Sequence, residues 1–474
     1  QPTIVEQIDR SDGRIACKWQ VRDQAPLKRE DSTPPLSSFN PVLRITTGNW
    51  STYAKRMREV LRRAAGGQSA AEQRARQIVR DADGEREQIT AIRDFVAKEI
   101  RGAGPGCDDL PLEAVTPADR TLADGYGNTT DRAVLLYAML RAVGFEPEFV
   151  LVNYGSLLNT LQRSEAEYPN PHTFGHVLVR VQANGVTRRS SLVARTKQRS
   201  AQDRSDSARD ERRETGDETI YLNDTNQYAA LGVTPADGHL ALPLAGGSPE
   251  TVSIAPDMKD RGQYECRLTI SEEGDAHVHT TRTNFGGAFG SRRKMFDEMP
   301  PEERNRYYQE LVATISQAAV ADGDLMTDFE SYPGMESFAV RAERYAVRDG
   351  DLLYFELPRT LGHLFGLRSD THENPFYRGG DSRFRISTVI ELPQGFSEIV
   401  IAPAQKRYHL PADGGTVHVS VAKTTNDEGA ASLTITHDVA LNAFLLDPDA
   451  YPELVDIERQ LSHPEARTIL VARP

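Results

Sequence analysis

The spacing of apolar residues divides the chain into a helical first half and a strand-rich second half. Trp50, Tyr53, Met57, Val60 and Leu61 recur at three- and four-residue intervals and form one helical face. After the Gly66-Gly67 break a polar, alanine-rich run leads to a second stripe, Ile89, Ile92, Phe95, Val96 and Ile100, so residues 50–100 predict two helices with a polar join. Trp50 and Phe95 are expected in the core, where large apolar side chains go. The stretch around which the rest is organised is residues 125–153, GYGNTTDRAVLLYAMLRAVGFEPEFVLVN. Ala133, Leu136, Tyr137, Leu140 and Val143 share a helix face. Asn128 caps the start, and Asp131, three residues on, completes a capping pair at the positive end of the helix dipole. Gly144 supplies the left-handed residue that ends the helix, and the run Phe149-Val150-Leu151-Val152 reads as a buried strand.

From Thr251 onward the pattern becomes alternation punctuated by turn signals. Strands are predicted at 264–270, 276–280, 339–346, 352–357, 384–392, 416–422 and 432–439, with helices at about 300–321 and 449–461. His277 and His279 share one strand face, but without a third ligand they read as solvent-facing alternation rather than a metal site. Phe285-Gly286-Gly287-Ala288-Phe289-Gly290 is glycine-rich, and with no helix start behind it reads as a turn. Residues 101–124, 153–173 and 359–380 read as loops, and 174–181 as a strand. Residues 188–218 are so rich in charge that they predict a solvated, disordered insertion. Residues 1–45 look β-rich: 14–21 alternate, and Pro34-Pro35 breaks the stretch after them.

At 474 residues the chain is too long for a single core. Its 56 basic and 69 acidic residues give a net charge of -13, which argues against a nucleic-acid or anionic-membrane partner. No apolar run reaches the roughly eighteen residues that a membrane-spanning helix needs. Three cysteines, Cys17, Cys107 and Cys266, make no disulfide framework. The absence of a phosphate loop, a Cys-x-x-Cys pair or a His-Glu-x-x-His motif predicts neither cofactor nor metal. The chain begins at Gln1 without a signal-peptide pattern, and is expected to be a fragment or a processed form lacking its true N-terminus.

The order turn, helix start, buried helix, strand presents the first helical residue to a cleft, beside free backbone N–H groups. That place suits a nucleophile and is held by Thr129. The stretch resembles the transglutaminase-like core, a branch of the papain-like fold, whose bacterial members read Gly-Asp-Cys-x-Asp-Lys-Ala here. Gly127, Asp131 and Ala133 match, Arg132 stands for the lysine, and Leu135-Leu136 and Leu140-Arg141-Ala142 follow. Asn128 replaces the aspartate and Thr129 the catalytic cysteine. Phe174-Gly175-His176-Val177 resembles the family's histidine strand, and Leu222-Asn223-Asp224-Thr225 its Leu-Asp-Pro-Thr segment, with Asn223 in the aspartate's place.

The resemblance implies an α+β fold: a papain-like transglutaminase core over about 46–245 and an antiparallel β-sandwich over about 250–474. It also implies that residues 1–45 are the remnant of an N-terminal β-sandwich, since Ile45 to Trp50 resembles the turn that joins such a domain to the core. Thr129, His176 and Asn223 then occupy the positions of a degenerate Cys-His-Asp triad. A papain-like site depends on a thiolate that histidine and helix dipole keep ionised, which a threonine hydroxyl cannot supply. Cys107 is no substitute, because its acidic neighbours raise a thiol pKa. The expected function is therefore a non-catalytic protein that binds a polypeptide or cell-envelope ligand through the former cleft and the β-domains, in a bacterial periplasm or at a cell surface. The alternatives are an active acyl-transfer enzyme or hydrolase using Thr129 with His176, and a structural module of a larger surface assembly.

Overall fold

A computed structural model describes residues 3–11, 14–22, 28, 30–106, 109–111, 114–184, 217–425 and 431–474. Cys107 and all but the last two residues of the expected charged insertion lie outside the described residues. The helical half contains α1 (Trp50–Ala65), α2 (Ser69–Ile78), α3 (Glu85–Glu99), α4 (Ala118–Asp124), α5 (Thr129–Ala142) and α6 (Asn159–Glu167). Residues 50–100 thus form three helices rather than two. The buried face of α2 consists of Ala71 and Ala75, and two alanines in a polar run give no stripe of large apolar residues. Helices α4 and α6 fall in predicted loops for a similar reason, each burying only two of its residues.

Helix α5 is the centre of the helical core, with α1, α2, α3 and α4 packed around it. Its residues Ala133 to Leu140 are all buried. A five-stranded antiparallel sheet covers α5, in the order Asp217–Leu222, His176–Asn184, Glu148–Asn153, Leu240–Pro243, Glu250–Thr251. Phe149, Leu151, Val177 and Val179 face the helices, while Val150, Val152, Leu178 and Ala241 join a smaller cluster on the other face. Burial on both faces is why these strands read as unbroken apolar runs.

The second half is built on a nine-stranded sheet. Gly262–Ile270 and Ala276–Asn284 form a hairpin at its middle, flanked by Gly334–Ala342 on one side. On the other side come Ser382–Glu391, Ala431–Leu441, Gly415–Thr425 and Lys406–His409. All these neighbours are antiparallel except Gly262–Ile270 and Ser382–Glu391, which run parallel. A four-stranded antiparallel sheet shares its core, through Leu353, Phe355, Ile469 and Val471. Two helices close that core, α8 (Pro301–Ala313) and α9 (Tyr451–Ser462). The helix expected to run to residue 321 therefore ends earlier, and Ala319–Ala321 is a strand at the sheet edge.

The glycine-rich run at 285–290 is not a turn: α7 (Gly286–Glu298) begins inside it. Gly286 has φ +58°, and a Cβ there would lie 2.1 Å from Asp260 Oδ1. Asp260 in turn accepts the backbone N–H of Gly287. The helix is capped by a carboxylate 26 residues upstream of its first residue, which no local pattern reveals. At the N-terminus Thr3–Ser11 and Arg14–Arg22 pair as an antiparallel hairpin. Residues 30–32 then run against the strand-rich half, with Glu30 accepting from Asn374 and Ser32 O from Tyr377 N.

Candidate functional site

The site lies where the start of α5 meets the start of the strand His176–Asn184. Asn128 Oδ1 accepts the Asp131 N–H at 2.9 Å, and Asp131 Oδ2 accepts the Asn128 N–H at 3.2 Å. This is the reciprocal capping box expected from the sequence. Asp131 Oδ1 also takes the Thr116 N–H at 2.8 Å, which ties the preceding loop to the helix. Thr129 is thereby fixed as the first helical residue. His176 opens its strand opposite Val152. Upstream, the buried ring of Phe174 packs edge-on against Trp50 at 5.0 Å, fixing the approach to His176.

Asn223 joins the two. Its Nδ2 donates to Thr129 O at 2.7 Å and to Val177 O at 2.8 Å. Its own backbone carbonyl accepts from His176 Nε2 at 3.3 Å. The three residues picked out by sequence therefore meet, but through different atoms from those a triad would use. The Asn223 side chain holds backbone rather than imidazole, and it does so from a left-handed backbone, φ +91°. With Nε2 donating, the neutral ring keeps its lone pair on Nδ1. Burial lowers the His176 pKa, outweighing the bond to the Asn223 carbonyl, and the Arg132 guanidinium lowers it further. The ring is thus neutral at neutral pH.

Thr129 Oγ1 is buried and makes no hydrogen bond among the described residues. Nor do the buried Oγ1 of Thr130, Nε of Arg132, Oδ1 of Asn223 and Oδ1 of Asp224. They are half of the ten such atoms among the described residues, so unpaired polarity is concentrated at this one place.

Sequence reasoning missed the residues that cover the site. Tyr154 sets its ring edge-on to His176 at 5.4 Å and to His239 at 5.5 Å. Its hydroxyl donates to Asp224 Oδ2 at 3.0 Å, and Thr234 Oγ1 donates to the same oxygen. Burial raises the Tyr154 pKa, and Asp224 raises it further. A lone tyrosine after a strand carries no signal by itself; only the fold brings it over the histidine.

Burial pushes the Asp224 carboxyl up to about 6, although its bonds from Thr234 and Tyr154 pull the other way. Between the ordinary 3.8 and about 6 the folded protein holds a proton that the unfolded chain has released. Stability contributed by Asp224 is therefore full below that window and is lost as pH rises through it. Urea unfolding at a series of pH values should show wild type losing up to about 3 kcal/mol relative to Asp224→Asn across the window. Parallel pH profiles for the two proteins would contradict this.

Comparison with known proteins places this arrangement. Residues 72–182 match the model of the transglutaminase-like superfamily. The helical half carries a transglutaminase-like core. Thr129 and His176 of that core lie inside the matched span, and Asn223 lies beyond it. A solved structure from Parabacteroides distasonis, described as a candidate protease, superposes on the chain with a TM-score of 0.50 at 13% identity. The match covers 99% of this chain and 68% of that one, and at such identity the likeness is one of fold. No curated protein matches the chain. Fold class and recognition agree with the sequence reading: a transglutaminase-like core followed by a large region of mainly antiparallel sheets.

Proposed function

We propose that the transglutaminase-like core is non-catalytic and binds a polypeptide or cell-envelope ligand through its former active-site cleft and the β-rich half. The observation that carries this reading is the Thr129 hydroxyl, which makes no hydrogen bond to His176 or to any other described residue. A nucleophile and its base need that contact for proton transfer. Two further features support it. Asn223 spends both its N–H donors on backbone carbonyls and so does not orient His176 through its side chain. Tyr154 covers His176 and is itself 40% exposed, so aromatic surface lies where a substrate would enter. Exposed tyrosines suit contact with an extended polypeptide, offering large area at little entropic cost.

The reading is tested with fluorescently labelled casein, an unfolded polypeptide. Wild type should bind it without cleaving or cross-linking it, and Tyr154→Ala should weaken binding about tenfold, or about 1.4 kcal/mol. Thr129→Val should bind as wild type does and be up to about 1 kcal/mol more stable, because it removes an unpaired buried hydroxyl at constant shape. Turnover of casein by wild type, lost in Thr129→Val, would establish the hydrolase instead.

A further inference from the structure

The outward face of the nine-stranded sheet carries a basic depression that the proposed binding cleft does not involve. Its form follows from strand register. In one cross-strand row Gln263, Arg385, Asp438, His418 and Arg407 lie directly opposite one another on five adjacent strands. In the next row along the strands, Arg383, Ala440, Thr416 and His409 are aligned in the same way. Ala440 is the smallest side chain in either row, and it sits between arginines on one side and His418 and Arg407 on the other. The gap it leaves is the floor of a depression of about 380 Å³, with Arg261 at its rim.

The charge there is compensated only in part. Four arginines line the depression against one carboxylate, Asp438, which is held by Arg385. Arg383 donates to Leu441 O and to Asn442 Oδ1, the latter at 2.7 Å, lies 3.8 Å from Asp381 Oδ2 just outside the depression, and keeps its side chain 41% exposed. Arg261 lies over the Phe285 ring at 4.0 Å. Arg407 is exposed and has no ion-pair partner among the described residues. Such a cluster stands out in a chain of net charge -13. Basic residues on an edge strand discourage sheet-to-sheet pairing, which accounts for Arg407 alone. It does not account for Arg383 and Arg385, which stand on a strand paired on both sides.

The geometry points to a binding site for a ligand carrying two or more oxyanion groups, carboxylate or phosphate. At about 4.8 Å between strands, Arg385 and Arg407 are roughly 14 Å apart at their backbones, and Arg383 and Arg385 are roughly 7 Å apart along one strand. One small anion does not reach all of them, whereas a polyacid spanning the Ala440 floor does. Guanidinium groups suit this task because each offers a planar pair of donors to an oxyanion.

Calorimetric titration at low ionic strength with citrate and, separately, with hexaglutamate tests the site. Wild type is expected to bind at least one of them, more weakly as salt is added. Arg407→Ala, which removes an exposed charge, and Ala440→Phe, which fills the floor from the solvent side, should each lower affinity tenfold or more. Arg267→Ala, on the same face but two rows away, should leave it unchanged. Binding of hexaglutamate alone identifies an acidic polymer as the ligand's source, and equal binding of citrate identifies a free small polyacid. No binding of either by wild type, or equal affinity in all four proteins, overturns the site. Urea unfolding of each variant distinguishes loss of the site from loss of the fold.

Discussion

Asn223→Ala should lower the free energy of unfolding by about 3 kcal/mol, a large part of what an ordinary domain has to lose. Asn223 is 7% exposed, and its Nδ2 is the donor to both Thr129 O and Val177 O. Alanine leaves two carbonyls at a helix start and a strand start without that donor. Thr129 O keeps its intrahelical donor, so each lost bond costs about 0.5–1.5 kcal/mol, and alanine adds the strain of a left-handed backbone. Asn223→Gly should be less damaging by about 1 kcal/mol, since it loses the same bonds but relieves the left-handed backbone at φ +91°. Asn223→Asp is the informative variant. It installs the residue that the proposed correspondence would put there, yet it removes both donors and sets a carboxylate against two carbonyl oxygens. At neutral pH it should destabilise at least as much as alanine, and it should not raise the His176 pKa through an orienting bond. Urea unfolding of the three variants, with the His176 titration followed by proton NMR, checks the order. An aspartate variant as stable as wild type would mean that the asparagine is a disarmed triad member and nothing more.

Phe149→Ala should cost about 3–5 kcal/mol, the usual range for emptying a buried aromatic site. Phe149 is 2% exposed, and its ring stacks on Tyr137 of α5 at 4.2 Å with 12° between the planes. It stands opposite Val179 on the neighbouring strand, the one that His176 opens. The residue therefore joins the helix that carries Thr129 to the sheet that carries His176. Phe149→Leu should recover about half of the loss by refilling part of the cavity. A thermal melt unchanged by Phe149→Ala would mean that helix and sheet are held together elsewhere.

How much of this was legible in the sequence depended on how local its causes are. The capping box at Asn128 and Asp131, and the left-handed Gly144 at φ +99°, are local and were readable. So were the long strands of the second half, whose alternating burial is plain in Gly262–Ile270 and Ala431–Leu441. Helix α2 was hidden because alanines form its buried face, and α7 because its cap, Asp260, comes from outside the helix. At the site, motif spacing named Thr129, His176 and Asn223, and they do come together. What the spacing could not give was which atoms meet. The asparagine works on backbone, its carbonyl rather than its amide faces the imidazole, and Tyr154 with Asp224 covers the ring. These depend on side-chain directions set by the packed sheet.

The central claim is that Thr129 and His176 do not form a nucleophile and base. Peptide-mapping mass spectrometry after timed exposure to an acyl electrophile, p-nitrophenyl acetate, addresses it directly in wild type, Thr129→Val and His176→Ala. Acyl groups on Thr129 in wild type should not exceed the level in His176→Ala at any time point. Time-dependent acylation of Thr129 that disappears in His176→Ala would contradict the account and make the core an acyl-transfer enzyme.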